Sequence, residues 1–292
     1  MDGFIILDKD SGIFSRNAGW RVAKIFGTKK FGHIGTLDPM ATGVLPIAIG
    51  NATKMIPFVE DACDNQKEYL FGIKFGIETD TLDITGKIVK KTGKKPTEKD
   101  IKNACEKLKN TTDQVPPMFS AVHIDGKRAY EIARRGAQIE MPARPIRIFE
   151  LEYTGKNEDE YNFRVVCSRG TYVRSIVRDI SDLCGTIGTT TYIRRTFTNG
   201  FDIKNAVKLD FLENLFNNGG AVKEYLMAPD FALGDIPVIN LDDKDTKLYK
   251  NGGFITVGGA DGLWRVYSDK DFVGIGRIRN GTLCPIRTLQ TT

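Results

Sequence analysis

Asp38 lies in the segment Gly32-His33-Ile34-Gly35-Thr36-Leu37-Asp38-Pro39-Met40-Ala41-Thr42-Gly43-Val44-Leu45, where a carboxylate could serve as nucleophile or base. Gly35 and Gly43 permit a left-handed backbone, Pro39 stiffens the turn, and a residue before proline is steered away from helical geometry. A carboxyl group in such a loop projects from a rigid support, as that chemistry requires. On spacing alone, an Asp-Pro pair more often only initiates a turn. Asp80 and Asp83 could be taken for a glycosidase-type carboxylate pair, and are read here as turn formers opening the next strand. Tyr69, Arg174 and His33 each have an ordinary reading too: a strand aromatic, a surface residue on a helix, and a loop histidine with a satisfied backbone bond.

The elements around these residues follow from periodicity and punctuation. Phe4 to Leu7 reads as a short strand, and Asn17 to Phe26 as a helix stopped by Gly27. The Asp38 loop then joins that helix to an apolar strand from Val44 to Ile49. Tyr69 to Phe75 alternates as a strand, and Lys99 to Leu108 is an amphipathic surface helix. Arg147 to Tyr153 and Tyr161 to Cys167 pair across a polar turn at Lys156 to Asp159. Thr171 to Leu183 places Val173, Ile176, Val177, Ile180 and Leu183 on one helical face, with Arg174 and Arg178 one turn apart on another. Strands interspersed with helices, without strict βαβ alternation, give an α+β fold with a mixed sheet and flanking helices. From Ile239 onward, Phe254 to Val257, Leu263 to Tyr267 and Phe272 to Gly276 form short glycine-broken strands, a small β-rich module. The expected division is 1–232 and 233–292, in keeping with about 150 residues per domain in a chain of 292.

Composition excludes several classes. No apolar run approaches the ~20 residues of a membrane span, and the N-terminal run is too short for a signal peptide. Cys63, Cys105, Cys167, Cys184 and Cys284 are scattered and odd in number, and the histidines are His33 and His123 only. A disulfide framework, a zinc site or another metal centre is not expected, and the chain reads as a cytoplasmic protein. Gly27-Thr28-Lys29-Lys30 and Gly185-Thr186-Ile187-Gly188 lack the spacing of phosphate or dinucleotide loops, so no cofactor is expected.

The net charge of +5 is concentrated locally. Residues 127–147 and 164–195 each carry +4, leaving a remainder of −3. The excess is nearly all arginine, interleaved with Tyr130, Tyr172 and Tyr192, a pattern suited to phosphate forks and base stacking. Ordinary salt bridges on a solvated face fit it equally.

The Gly32 to Leu45 segment resembles the signature of TruB-type pseudouridine synthases. Further blocks follow in the family's order: Leu7-Asp8-Lys9, Lys67-Glu68-Tyr69, Thr79-Asp80-Thr81-Leu82-Asp83, Gln114 to Ala121, Ala143-Arg144-Pro145-Ile146, Ser168 to Arg174, and Tyr192-Ile193-Arg194-Arg195. The resemblance spans roughly residues 3 to 197. It implies a mainly antiparallel pseudouridine synthase sheet that isomerises uridine at position 55 in the TΨC loop of tRNA, by base flipping and without cofactor. Asp38 then matches the catalytic carboxylate, which attacks C1′ of the ribose or removes a C2′ proton. Arg174 matches its arginine partner, and Tyr69 the tyrosine that stacks on the flipped base and serves in C5 deprotonation. His33 matches the residue inserted where the base had been, and Ile193 an aliphatic pocket wall. Tyr172, Arg128 and Arg135 are the expected substrate contacts beyond the pocket. The tail resembles a PUA-type RNA-binding barrel. The resemblance implies tRNA as partner, no obligatory protein partner and a monomer.

The first block departs from the family pattern: Asp10 stands where proline is usual, Phe14 where a small hydroxyl residue is, and Asn17 where an acid is. That segment is expected to give structural support. A second class of function, a tRNA-binding folding chaperone with secondary or absent catalysis, differs from the first in not requiring Asp38.

Overall fold

The computed structural model describes residues 1–62, 66–120, 122–124, 126–133 and 140–289. Its main sheet runs in spatial order Ile148–Asn157, Glu160–Cys167, Lys67–Phe75, Gly188–Thr198, Thr42–Ile49, Gly3–Lys9 and Val207–Lys208. Two pairings along that path are parallel, Gly188–Thr198 with Thr42–Ile49 and Gly3–Lys9 with Val207–Lys208; the others are antiparallel. The short strand Phe31–His33 lies antiparallel on Thr42–Ile49, so the Asp38 loop closes a hairpin and does not join a helix to a strand. The fold is α+β with a mixed, mainly antiparallel sheet.

Burial explains why these strands form. Every residue of Gly3–Lys9 is buried, because both faces of this strand are covered. Side-chain alternation sends Ile5 and Leu7 to one face and Phe4 and Ile6 to the other. The first face belongs to one continuous core with Val22 of helix Ser15–Ile25, Ile101 and Leu108 of helix Glu98–Lys109, and Ile176 and Ile180 of helix Val173–Leu183. Helix Glu98–Lys109 starts at a reciprocal cap in which Thr97 accepts from Asp100 N–H and the Asp100 carboxylate accepts from Thr97 N–H. The second face meets Met55, Val59, Phe201 and Leu233, together with Ile275 and Leu289 from the C-terminal part of the chain.

That C-terminal part forms its own sheet, in the order Val238–Asn240, Gly262–Ser268, Asp271–Arg279, Thr282–Thr288 and Ile255–Thr256. Leu241, Tyr249, Val266, Val273, Ile278 and Leu283 fill a separate core beneath it. Of the expected run Phe254 to Val257, only Ile255–Thr256 is strand, and Phe254 is exposed. No helix among the described residues is long and apolar enough to cross a membrane.

The strand that periodicity does not reveal is Gly188–Thr198, at the centre of the sheet. Its buried positions include Thr189, Thr190, Arg195 and Thr198, so its inward face carries almost no hydrophobic signal. Part of that polar face is hydrogen-bonded: Thr189 Oγ1 donates to the Ile77 carbonyl at 2.8 Å.

Candidate active site

The Asp38 loop is fixed from several sides by the chain's first block. Ser15 is buried at the start of its helix, and its hydroxyl both donates to the Leu37 carbonyl and accepts from Leu37 N–H, each at 3.0 Å. Lys9 is fully buried at the end of its strand. Its ammonium donates to the carbonyls of Asp10 and Ile13 at 2.9 Å and of Pro39 at 3.1 Å. Pro39 also accepts from Gly12 N–H at 2.8 Å, while Ala41 N–H closes the turn onto the Asp38 carbonyl at 3.1 Å. Gly35 and Gly43 both have positive φ, as their places in the loop led one to expect. At Gly43 a Cβ would lie 2.1 Å from the Arg195 carbonyl oxygen, so a side chain would force the hairpin off the central strand.

Arg174 reaches this loop from the first turn of helix Val173–Leu183. It is not on an outward face: its side chain is only 4 % exposed. Three of its nitrogens are engaged. Nε donates to Asp38 Oδ2 at 2.8 Å, Nη1 to the Thr81 carbonyl at 3.0 Å, and Nη2 to the Phe119 carbonyl at 2.9 Å. Asp38 Oδ1 has no protein hydrogen bond among the described residues, and the Asp38 side chain keeps 37 % exposure. The carboxylate is thus anchored through one oxygen and open at the other. A buried guanidinium must be paired, and this one is paired to the loop acid and to two backbone carbonyls.

Asp83 turns out to do two things. It is the turn former expected, accepting from Thr81 Oγ1 and Thr85 N–H at 2.9 Å each. Its buried Oδ2 also lies 3.9 Å from Arg174 Nε, so a second carboxylate shares the guanidinium. Gln114 is likewise more than a block residue. Its side-chain amide accepts from Tyr172 N–H at 2.8 Å and donates to the Tyr172 carbonyl at 3.2 Å, fixing the residue that starts the Arg174 helix.

Tyr69 and Ile193 are buried on neighbouring strands. Tyr69 is the cross-strand partner of Arg195. Burial raises the Tyr69 phenol above its ordinary pKa, and the Arg195 guanidinium opposes that shift. Arg195 is fully buried. It donates from Nε to the Val44 carbonyl at 2.7 Å and from Nη2 to the Gly35 carbonyl at 3.0 Å, tying Tyr69's strand partner to both sides of the Asp38 hairpin. The charge of Asp38 is felt at both Tyr69 and Tyr172. His33 lies on the short strand before the loop, and its buried Nδ1 has no hydrogen-bond partner among the described residues. Tyr172 lines an open cleft with Arg144, Pro145 and Gly170. The structure therefore brings Asp38, Arg174, Tyr69, Tyr172, His33 and Ile193 to one region around the hairpin.

Of the remaining expected contacts, one is described and one is not. Arg128 is exposed on the two-residue strand Lys127–Arg128. Arg134, Arg135 and Cys63 lie outside the described residues. The arginines of 164–195 do not form a free phosphate-binding face. Arg164 pairs with Glu68 and Glu150, Arg169 with Glu60, Arg178 with Asp179, and Arg194 with both oxygens of Asp8 at 3.0 Å. Arg174 is buried against Asp38 and Arg195 against backbone carbonyls, so little of that segment's charge is left free on the surface. Among the described residues no group of three or more His, Cys, Asp or Glu side chains could hold a metal ion.

Lys9, Ser15, Gln114 and Arg195 are the site-building residues that sequence reasoning left without a role. All four fall in blocks already picked out by order along the chain, Ser15 in the first block with Lys9. That membership was the one available signal, because hydrogen bonds to backbone carbonyls leave no periodic trace.

Comparison with known proteins agrees with this arrangement. Residues 23–173 match the model of the TruB family pseudouridylate synthase N-terminal domain, and residues 237–289 that of the pseudouridine synthase II TruB C-terminal region. A protein of Caulobacter vibrioides named tRNA pseudouridine synthase B is 36% identical over 305 residues, covering 100% of this chain and 97% of its own. A protein of the same name from Aromatoleum aromaticum is 40% identical over 294 residues, covering 100% and 94%. Among solved structures, a chain of an H/ACA RNP bound to a substrate RNA containing 2′-deoxyuridine shares the fold with a TM-score of 0.72 at 18% identity, over 99% of this chain and 85% of that one. A chain of the archaeal box H/ACA sRNP Nop10-Cbf5 complex aligns with a TM-score of 0.70 at 19% identity, over 98% and 85%.

Proposed function

The chain belongs to the TruB family of pseudouridine synthases, and from that membership and the site we propose that it converts uridine 55 in the TΨC loop of tRNA to pseudouridine. The enzyme isomerises uridine in tRNA; the position, the flipping of the base and the roles of the residues are our reading. The observation that carries it is the Asp38 carboxylate, held through Oδ2 by Arg174 Nε at 2.8 Å in a loop pinned at Leu37 and Pro39, with Oδ1 left open.

A uridine inside a folded RNA loop must leave the stack before its glycosidic bond can be reached. In this reading His33 enters the space the base vacates, while Tyr69 and Ile193 receive the uracil. The open oxygen of Asp38 then acts at the ribose by either of two routes. It attacks C1′, so that a C–O bond forms as the C1′–N1 bond breaks and the electron pair goes to the uracil. Alternatively it takes a proton from C2′, and the sugar leaves as a glycal. The uracil then rotates and C5 bonds to C1′. In the first route the C1′–O bond to Asp38 breaks and the carboxylate is regenerated; in the second Asp38 returns the proton to C2′. A base then removes the C5 proton. We assign that last step to Tyr69, whose phenol burial holds above its ordinary pKa while the Arg195 guanidinium beside it works against that shift. Arg174 pairs with Asp38 and aims it in a partly buried setting, where an unpaired charge would be costly. Nothing in these steps calls for a cofactor.

We assign residues 1–232 to the catalytic domain and 233–292 to a PUA-like RNA-binding module. The separate C-terminal sheet and core support that division. Arg128 is exposed and forms no ion pair among the described residues, so it is free to meet phosphate. Arg128→Ala should weaken tRNA binding and lower the slope of log K against log salt by about 0.7–0.9. An unchanged slope, measured by filter binding across a salt series, removes Arg128 from the interface. The function itself is tested by treating unmodified tRNA with the purified protein and mapping carbodiimide adducts. The reading expects pseudouridine at position 55 of the TΨC loop, and modification elsewhere or none overturns it.

A further inference from the structure

A second group of cations sits at the hairpin, and among the described residues no carboxylate balances it. Lys67 opens the strand Lys67–Phe75 and shares a face with Tyr69, two residues on. A Cβ placed on Gly35 would lie 3.1 Å from Lys67 Nζ and 2.8 Å from Arg195 Nη1, so both cations abut the same backbone point, three residues before Asp38. Arg195 is fully buried beside the Tyr69 phenol, and its Nη1 has no hydrogen-bond partner among the described residues. His33 Nδ1 is buried beside them, also without one, and burial together with Arg195 holds the imidazole below its usual pKa.

Among the described residues no carboxylate pairs with Lys67; Glu60, whose charge reaches it, is engaged by Arg169 at 3.2 Å. Burial, and next the Arg195 charge, push the Lys67 ammonium down to about 8. Charges taken out of water are ordinarily paired, and a pair of cations with no counter-ion is costly to maintain. Such an arrangement persists where the missing anion comes from outside the protein.

We propose that Lys67, with Arg195 and His33 behind it, seats one backbone phosphate of the RNA next to the nucleotide held at Asp38. This rests on the RNA-modifying reading above, since RNA brings one phosphodiester per nucleotide. Arg195 is too deeply buried for contact and contributes its field; Lys67, partly open, makes the hydrogen bond. Seating the phosphate would fix the extruded nucleotide by its backbone, so that recognition of the ribose does not depend on the base that must later rotate.

The test compares the wild-type protein, Lys67→Met and Lys67→Arg on a TΨC stem-loop RNA and on versions bearing a single neutral methylphosphonate at each position around the target uridine. For wild type, one methylphosphonate position should raise KM about tenfold, the size expected for a charge-assisted hydrogen bond, while its neighbours have little effect. Lys67→Met should raise KM for the unsubstituted RNA by a similar factor with kcat nearly unchanged. It should lose sensitivity to that one position and reduce the salt slope by about one phosphate. Lys67→Arg should restore most of the affinity. Equal sensitivity of wild type and Lys67→Met at every position overturns the proposal, as does a fall in kcat with KM unchanged. If Lys67→Met does not fold, the wild-type scan decides alone, and the absence of any single sensitive position overturns it. Failure of wild type to modify the unsubstituted RNA would instead overturn the functional reading, so the two failures are distinguishable.

Discussion

Replacing Arg174 with methionine is expected to destabilise the folded chain by about 3–5 kcal/mol and to cut kcat/KM at least about a thousandfold. Both effects have the same origin. The guanidinium is nearly inaccessible and bonds to Asp38, Thr81 and Phe119 at once, with Asp83 at 3.9 Å. Methionine fills much of the volume but leaves two carbonyls unsatisfied and the buried Asp83 without a nearby cation. The loop carboxylate then loses the contact that aims it. Lysine keeps the charge but cannot donate in three fixed directions, so Arg174→Lys should recover part of the stability and little of the activity. Urea unfolding midpoints and turnover on a stem-loop substrate measure the two effects separately. Wild-type turnover in Arg174→Met would remove Arg174 from the mechanism.

The depth of that coupling marks what could be read from the chain alone. The hairpin residues were legible because their types are unusual together: two glycines with positive φ and a proline frame a single acid. The order of blocks along the chain then tied Tyr69 and Arg174 to it. The spatial logic was less legible. Helical spacing put Arg174 on an outward face, because periodicity assigns charged residues to solvent and cannot register a buried ion pair. The arginines of 164–195 looked like a surface for phosphate for the same reason. A one-dimensional charge count cannot see Glu68, Glu60 and Asp8 arriving from other strands to meet them.

The centre of the sheet was hidden differently. Gly188–Thr198 turns threonines and an arginine inward and is held by strand neighbours on both sides. Arg195 carries that strand's part in the site: it reaches across to the Gly35 and Val44 carbonyls while standing opposite Tyr69. Lys9 and Ser15 brace the other side of the loop. Asp10, Phe14 and Asn17, where the block departs from the family pattern, are not among the side chains that hold Leu37 and Pro39. The departures therefore leave the bracing of Asp38 intact, in line with a supporting role for that segment.

The central claim is that the chemistry begins at the Asp38 carboxylate. Asparagine at this position is nearly isosteric, and its amide oxygen can still accept from Arg174. Binding of tRNA should therefore remain within about twofold of wild type, since the phosphate contacts are untouched. The amide is neutral, however, and can neither attack C1′ nor take a proton from C2′. Turnover should fall by at least about four orders of magnitude, as for loss of an essential nucleophile or base. Pseudouridine formation leaves mass unchanged, so the decisive measurement is release of tritium from C5 of labelled uridine in tRNA. The account predicts no release above background from Asp38→Asn, with tRNA binding retained. Release at the wild-type rate would contradict it.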